Sequence, residues 1–140
     1  MEKYGNRRQA RENAFRAAFA LAFQTEEPQE ALDAHLENGE LELDSFAKQL
    51  LQNMIAHREE IDATIEAHLK GWSLSRVPRV SLTALRLALA ELQYGEEKKP
   101  AVTINETVEL VKAYGSDSDY QFVNGLLGAV VREQNDETSC

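Results

Sequence analysis

Residues 100–131 constrain the fold of this chain more than any other stretch. They read P-A-V-T-I-N-E-T-V-E-L-V-K-A-Y-G and then S-D-S-D-Y-Q-F-V-N-G-L-L-G-A-V-V. Ile104, Val108 and Val111 are spaced by four and three, which places them on one helical face. Gly115 stands where a helix stops, and is expected to take the left-handed cap that other residues enter only at a steric cost. Ser116, Asp117 and Ser118 can each cap a new helix by accepting a bond from a free backbone N–H. That second helix carries Phe122, Val123, Leu126, Leu127, Val130 and Val131. Two helices joined by so short a turn pack as a hairpin. Asn105 and Asn124 fall inside these apolar helices and are expected to bond backbone across the hairpin, fixing its register.

The rest of the chain has the same helical period. A first helix is expected from Arg7 to about Phe23, with Asn6 a candidate cap and a stripe of Ala14, Ala18, Leu21 and Ala22 beside Phe15 and Phe19. Thr25 to Asn38 gives a weak acidic helix ended by Gly39. Asp44 caps a helix bearing Phe46, Leu50, Leu51, Met54 and Ile55. His57 to Glu60 interrupts the stripe, Ile61, Ile65 and Leu69 resume it, and Gly71 stops it, so two helices or one kinked helix fit equally. Trp72, between Leu69 and Leu74, is expected to anchor the core. From Pro78 to Tyr94, Leu82, Leu85, Leu89 and Leu92 form a stripe, with Ala84 and Ala88 small enough for close approach; this should be the most buried helix. The expected class is all-α, about seven helices in two packed subdomains. One domain covers 1–140, with halves at about 1–70 and 71–134 and a flexible polar tail at 135–140.

Composition excludes several function classes. Hydrophobic residues make up 43% of the 140, enough for a core, and no sustained alternating run suggests strands. No apolar stretch approaches the roughly 18 residues of a membrane span. Charges near the N-terminus have no apolar signal core behind them, so a soluble cytoplasmic protein is expected. The single Cys140 cannot pair within the chain, which suits a reducing compartment. There is no nucleophile elbow, phosphate-cradling loop or H-E-x-x-H. His35, His57 and His68 lack paired metal-ligand spacing. Glu106 and Glu109, three apart, read as solvent-facing helical glutamates. No catalytic residue, metal or cofactor is expected.

The formal net charge is −9, yet the basic residues are unevenly placed. Residues 1–16 hold Lys3, Arg7, Arg8, Arg11 and Arg16 against only Glu2 and Glu12. Arg7, Arg8 and Arg11 lie within one turn at a helix start, where the macrodipole disfavours each by about 0.3–1 kcal/mol. An unfavourable placement suggests a use, and a local cationic patch is what phosphate binding depends on. The acidic remainder discourages nonspecific binding; it equally serves solubility.

The wording of the sequence is more specific than its periodicity. Ile104-Asn105-Glu106, Glu109-Leu110-x-Lys112, Tyr114-Gly115 and Phe122-Val123-Asn124-Gly125-Leu126-Leu127 together resemble the C-terminal signature of the transcription antitermination factor NusB family. Arg7-Arg8-Gln9-Ala10-Arg11-Glu12 resembles that family's opening run, and Trp72 to Leu92 its middle, although Ser81-Leu82-Thr83 departs from the charged residues often found there. The resemblance implies a bacterial RNA-binding adaptor. Such proteins bind the single-stranded boxA element with NusE, a small-subunit ribosomal protein, and load onto RNA polymerase for antitermination on ribosomal RNA operons. Carried over, Arg7, Arg8 and Arg11 would hold phosphates, and Ser116, Asp117, Ser118, Asp119 and Phe122 would receive a base. Phe122 reads equally as core. Phe19 and Ser81 would face NusE. Two other readings remain open: a NusB-like module linked to ribosomal RNA methylation, and a homodimeric interaction protein.

Overall fold

The computed structural model describes residues 7–21, 28–37, 39, 43–96 and 98–139. Among these are seven helices and no strand: α1 (Arg7–Leu21), α2 (Pro28–Glu37), α3 (Ser45–Ala56), α4 (Arg58–Ala67), α5 (Arg79–Tyr94), α6 (Pro100–Tyr114) and α7 (Asp117–Ser139), with one 3-10 turn at Leu74–Arg76. Asn6, Ala22, Phe23 and Thr25, read from sequence as parts of α1 and α2 or their caps, lie outside the described residues. No helix among the described residues is long and apolar enough to cross a membrane.

Helix α5 is the axis of the molecule. It packs against α1, α3, α4, α6 and α7. Its buried residues run right round it, from Ser81 through Leu85, Leu87 and Leu89 to Glu91 and Leu92. Leu85 and Leu89 are fully buried, each adding about 1.5–3 kcal/mol of apolar stabilisation. Ala84, Ala88 and Ala90 let the neighbouring helices come close.

Local chemistry explains most boundaries. Asp44 Oδ1 accepts from the Ala47 N–H at 2.8 Å and caps α3. His57 separates α3 from α4 at φ −114°, but the ladder survives around it: His57 N–H bonds Asn53 O and Ile61 N–H bonds His57 O. The break is thus a bend between two helices in series. Its imidazole stacks on Tyr94 with centroids 3.7 Å apart. After α4, Lys70 and Gly71 both take positive φ, at 49° and 96°. This sharp left-handed turn sends the chain outward before the 3-10 turn brings it back to α5.

Three expectations are corrected. Gly115 has φ −121°, so it is not a left-handed cap. Glycine is required there by proximity: a Cβ would stand 2.9 Å from Asp119 Oδ2 and 3.2 Å from Val111 O. On α6 the buried residues are Thr103, Thr107 and Val111, one position out of phase with Ile104 and Val108, and Asn105 and Asn124 are exposed. They do not fix the hairpin register. Trp72 is not a core anchor: it is 54% exposed.

Candidate nucleic-acid interface

Helices α1 and α5 run antiparallel, and the two ends of α5 carry different chemistry. At its C-terminal end, Arg11 of α1 donates twice to Glu91, Nε to Oε1 at 3.0 Å and Nη2 to Oε2 at 2.6 Å. Thr103 of α6 donates to the same Oε2 at 2.8 Å. Both charged side chains are about nine-tenths buried. This network ties α1, α5 and α6 together.

Arg11 therefore differs from the two arginines with which it was grouped. Its guanidinium is committed to Glu91 inside the protein, so Arg11 is corrected from a phosphate ligand to a core ion-pair partner. Arg8 points outward with its side chain 68% exposed, held by Glu106 of α6 through Nε at 2.8 Å and Nη2 at 3.2 Å. The hydrogen bond and charge of Glu106 raise the Arg8 pKa above its ordinary value. The Arg7 guanidinium lies 4.1 Å over the Phe46 ring, a cation–π contact at the mouth of a recess of about 360 Å³ between α1, α3 and α5.

Further along the same edge of α1, Tyr114 of α6 donates its hydroxyl to Glu12 at 2.6 Å and accepts from Arg16 Nε at 3.0 Å. Tyr114 also packs on Phe15 at 5.1 Å, and Phe15 stacks on Phe19 at 6.0 Å. Phe19 is half-buried.

The turn between α6 and α7 is built around Asp119. Oδ2 accepts from the Ser116 N–H at 2.8 Å and from Ser116 Oγ at 2.9 Å, while the Asp119 N–H reaches back to Ser116 Oγ at 3.4 Å. This reciprocal pattern is a capping box starting α7, with Asp in place of Glu or Gln. Oδ1 accepts from Ser81 Oγ of α5 at 2.9 Å. The backbone bond from Ser116, aided by the hydroxyls of Ser81 and Ser116 and opposed by burial, holds the Asp119 carboxyl below its ordinary pKa. Ser81 is fully buried, which removes it from any partner surface: it fastens the turn to α5. Ser116 and Ser118 also meet, Oγ to Oγ at 3.1 Å, and Asp117 is exposed in the first turn of α7. Phe122, one turn on, is half-buried against Trp72, with ring centroids 6.0 Å apart and planes at 11°.

The structure does not join the two groups of predicted residues. Arg7, Arg8 and Arg11 sit beside the Glu91 end of α5; Ser116 to Asp119 and Phe122 sit beside its Ser81 end. Ten residues of helix separate Ser81 from Glu91, about 15 Å at 1.5 Å each. Sequence reasoning missed Glu91, Thr103 and Trp72. Arg11 and Glu91 had a signal, since each falls in phase with a buried stripe: Arg11 with Ala14, Phe15 and Ala18, Glu91 with Ala84, Leu87 and Ala88. Among the described residues no group of three His, Cys, Asp or Glu side chains could hold a metal ion. His68 bonds Thr64 O at 2.8 Å and Glu133 at 3.0 Å.

The fold is a helical module with Arg7 and Arg8 at one end and the stacked Trp72–Phe122 pair at the other, rather than a scaffold around one central pocket. Comparison with known proteins gives the family. The NusB family model matches residues 8–132. A transcription antitermination protein NusB of Lysinibacillus sphaericus is 38% identical over 128 residues, covering 91% of this chain and 98% of that protein. One from an Exiguobacterium species is 41% identical over 127 residues, with the same two coverages. Among solved structures, a chain from a crystal structure of antitermination factors NusB and NusE in complex with double-stranded RNA superposes with TM-score 0.79 at 34% identity, covering 95% of this chain and 99% of that one. A NusB structure from T. maritima superposes at TM-score 0.77 with 32% identity over 91% of each chain. The protein belongs to the NusB family.

Proposed function

We propose that this protein is a transcription antitermination factor that binds boxA-type single-stranded RNA together with NusE and so supports ribosomal RNA transcription by RNA polymerase in the bacterial cytoplasm. The observation that carries the reading is its likeness, over nearly its whole length, to a chain crystallised with NusE and RNA. The RNA in that complex is double-stranded; the choice of a single strand rests on the surface chemistry. Exposed aromatic rings suit unstacked bases, which a duplex does not offer. Arg7 and Arg8 supply the charge at one end, and the Ser116–Asp119 turn with Phe122 forms the other. Within that turn, Asp119 and Ser116 act by fixing the backbone, since a carboxylate repels phosphate. Phe19, half-buried and stacked on Phe15, is the residue assigned to the NusE contact. No chemical step is assigned to the protein.

The test is a mobility-shift titration. The protein with NusE is expected to shift a boxA RNA that neither shifts well alone, and a scrambled RNA is expected to bind more weakly. Equal binding of both RNAs, or no gain from NusE, would remove the adaptor reading. Phe19→Asp should weaken the pairing with NusE in a calorimetric titration while leaving helicity intact, because it puts a charge into a desolvated contact. Unchanged affinity would take Phe19 out of the interface.

A further inference from the structure

The most exposed large apolar side chain among the described residues is Trp72, and its surroundings are cationic. From Ala67 to Ala90 the chain has no Asp or Glu, in a sequence with 24 of them. The same stretch carries Lys70, Arg76, Arg79 and Arg86; Arg76 lines the same depression as the indole, and Arg86 is paired with Asp62 at 2.8 Å. Backbone geometry presents the group. The left-handed turn at Lys70 and Gly71 carries Trp72 clear of α4, with the Trp72 N–H bonded to Leu69 O at 3.2 Å. The 3-10 turn then returns the chain, its Arg76 N–H on Ser73 O at 3.0 Å. Gly71, Trp72, Ser73 and Arg76 line one open depression of about 570 Å³.

We infer that Trp72 is a base-stacking platform for single-stranded RNA, backed by Phe122 and served by Arg76 as a phosphate ligand. This rests on the proposed RNA-binding function and alters how it works. The Trp72 and Phe122 planes are nearly parallel at 6.0 Å. A base sandwiched between them would need about 7 Å, two contacts of roughly 3.5 Å, so the pair is closed to intercalation. The open position is the solvent side of the indole. A base placed there extends a stack that already has Phe122 behind it, and Phe122 holds the indole in place instead of receiving the base. A polyanion is the occupant that fits an exposed indole whose depression is lined by the Arg76 guanidinium. Of the acidic groups on this side, Asp119 is tied to Ser116 and Ser81, Glu133 is bonded to His68, and Asp117 is exposed. This segment also supplies positive charge at the end of α5 remote from Arg7 and Arg8, where the aromatic pair otherwise has none from α1.

Trp72 is the only tryptophan in the chain, so the site has a built-in reporter. A short boxA RNA titrated into the preformed complex with NusE should quench tryptophan emission, and the change should vanish in Trp72→Phe. Trp72→Ala should weaken RNA binding by about 5- to 150-fold with little change in salt slope. Trp72→Phe should restore most of it. Arg76→Gln should flatten the dependence of log affinity on log salt by about 0.7. Binding of labelled RNA with no change in Trp72 emission, and full affinity in Trp72→Ala, would overturn the inference and leave the proposed function standing. Loss of affinity for NusE in Trp72→Ala, with RNA binding unaltered, would also overturn it, by assigning the ring to a protein contact. No RNA binding at all would overturn both.

Discussion

Replacing Arg11 with Ala tests the division of labour among the three N-terminal arginines. It removes two charge-assisted bonds, of 3.0 and 2.6 Å, and leaves the buried Glu91 carboxylate with the Thr103 hydroxyl. Breaking a buried pair from one side costs about 3–5 kcal/mol, because the remaining charge has no water to return to. At about 2–4 °C per kcal/mol for a chain of this size, melting should fall by about 6–20 °C. Replacing both partners, Arg11→Met with Glu91→Leu, should recover most of the loss, since no charge is then stranded. Urea denaturation followed by helical circular dichroism reads all three variants. In RNA binding the expectation is opposite. Arg11→Ala, measured well below its melting point with NusE present, should leave the salt slope unchanged. A stability loss under about 1 kcal/mol, typical of an exposed pair, or a slope flattened by about 0.7, would show that Arg11 faces solvent and RNA, and the reasoning would fail.

Three further outcomes follow from the geometry. Arg7→Ala with Arg8→Ala should flatten the salt slope by about 1.4 and weaken all RNA sequences alike, since phosphate contacts position without reading; discrimination lost at one base would refute this. Gly115→Ala should destabilise by about 1–3 kcal/mol in a thermal melt, because its Cβ would press on Asp119 Oδ2 at 2.9 Å; a neutral result would mean that the carboxylate is free to move. The Asp119 carboxyl has a folded pKa below its unfolded value, so it contributes stability above about pH 4 that is lost as pH falls through the folded pKa. Asp119→Asn should reduce the acid-induced drop in melting temperature, and an unaltered pH profile would remove this group from the linkage.

The fold was legible because helical period, caps and turns agree with one another along most of the chain. Asp44 reads as a cap and is one; the stripe of α5 reads as buried and is. The site was less legible, and particular residues show why. Arg11 looks like its neighbours in composition, and only its phase with Ala14, Phe15 and Ala18 marks it as inward. Thr103 and Thr107 form the buried side of α6 although Ile104 and Val108 are more apolar. Hydroxyls can be buried there because Thr103 bonds Glu91 and Thr107 bonds Thr103 O at 2.7 Å. Trp72 has apolar neighbours in sequence, but the positive φ values at Lys70 and Gly71 turn it outward, and no hydrophobic period records a turn. Ser81 and Asp119 are 38 residues apart, and nothing local in either segment announces their bond.

The burial of α5 on every side gives the molecule the character of a gauge. A helix enclosed by five others cannot slide or bend without opening the core, so the span of about 15 Å between Ser81 and Glu91 is fixed. One end presents Arg7 and Arg8, the other Trp72 and Arg76. On the proposed mode of binding, an RNA long enough to bridge that span would engage the second end at the high effective concentration set by the first. A shorter RNA meets only one end at a time. Affinity plotted against RNA length should therefore rise in a step where bridging becomes possible, and the rigid core of the protein holds the two ends at the separation that sets the step.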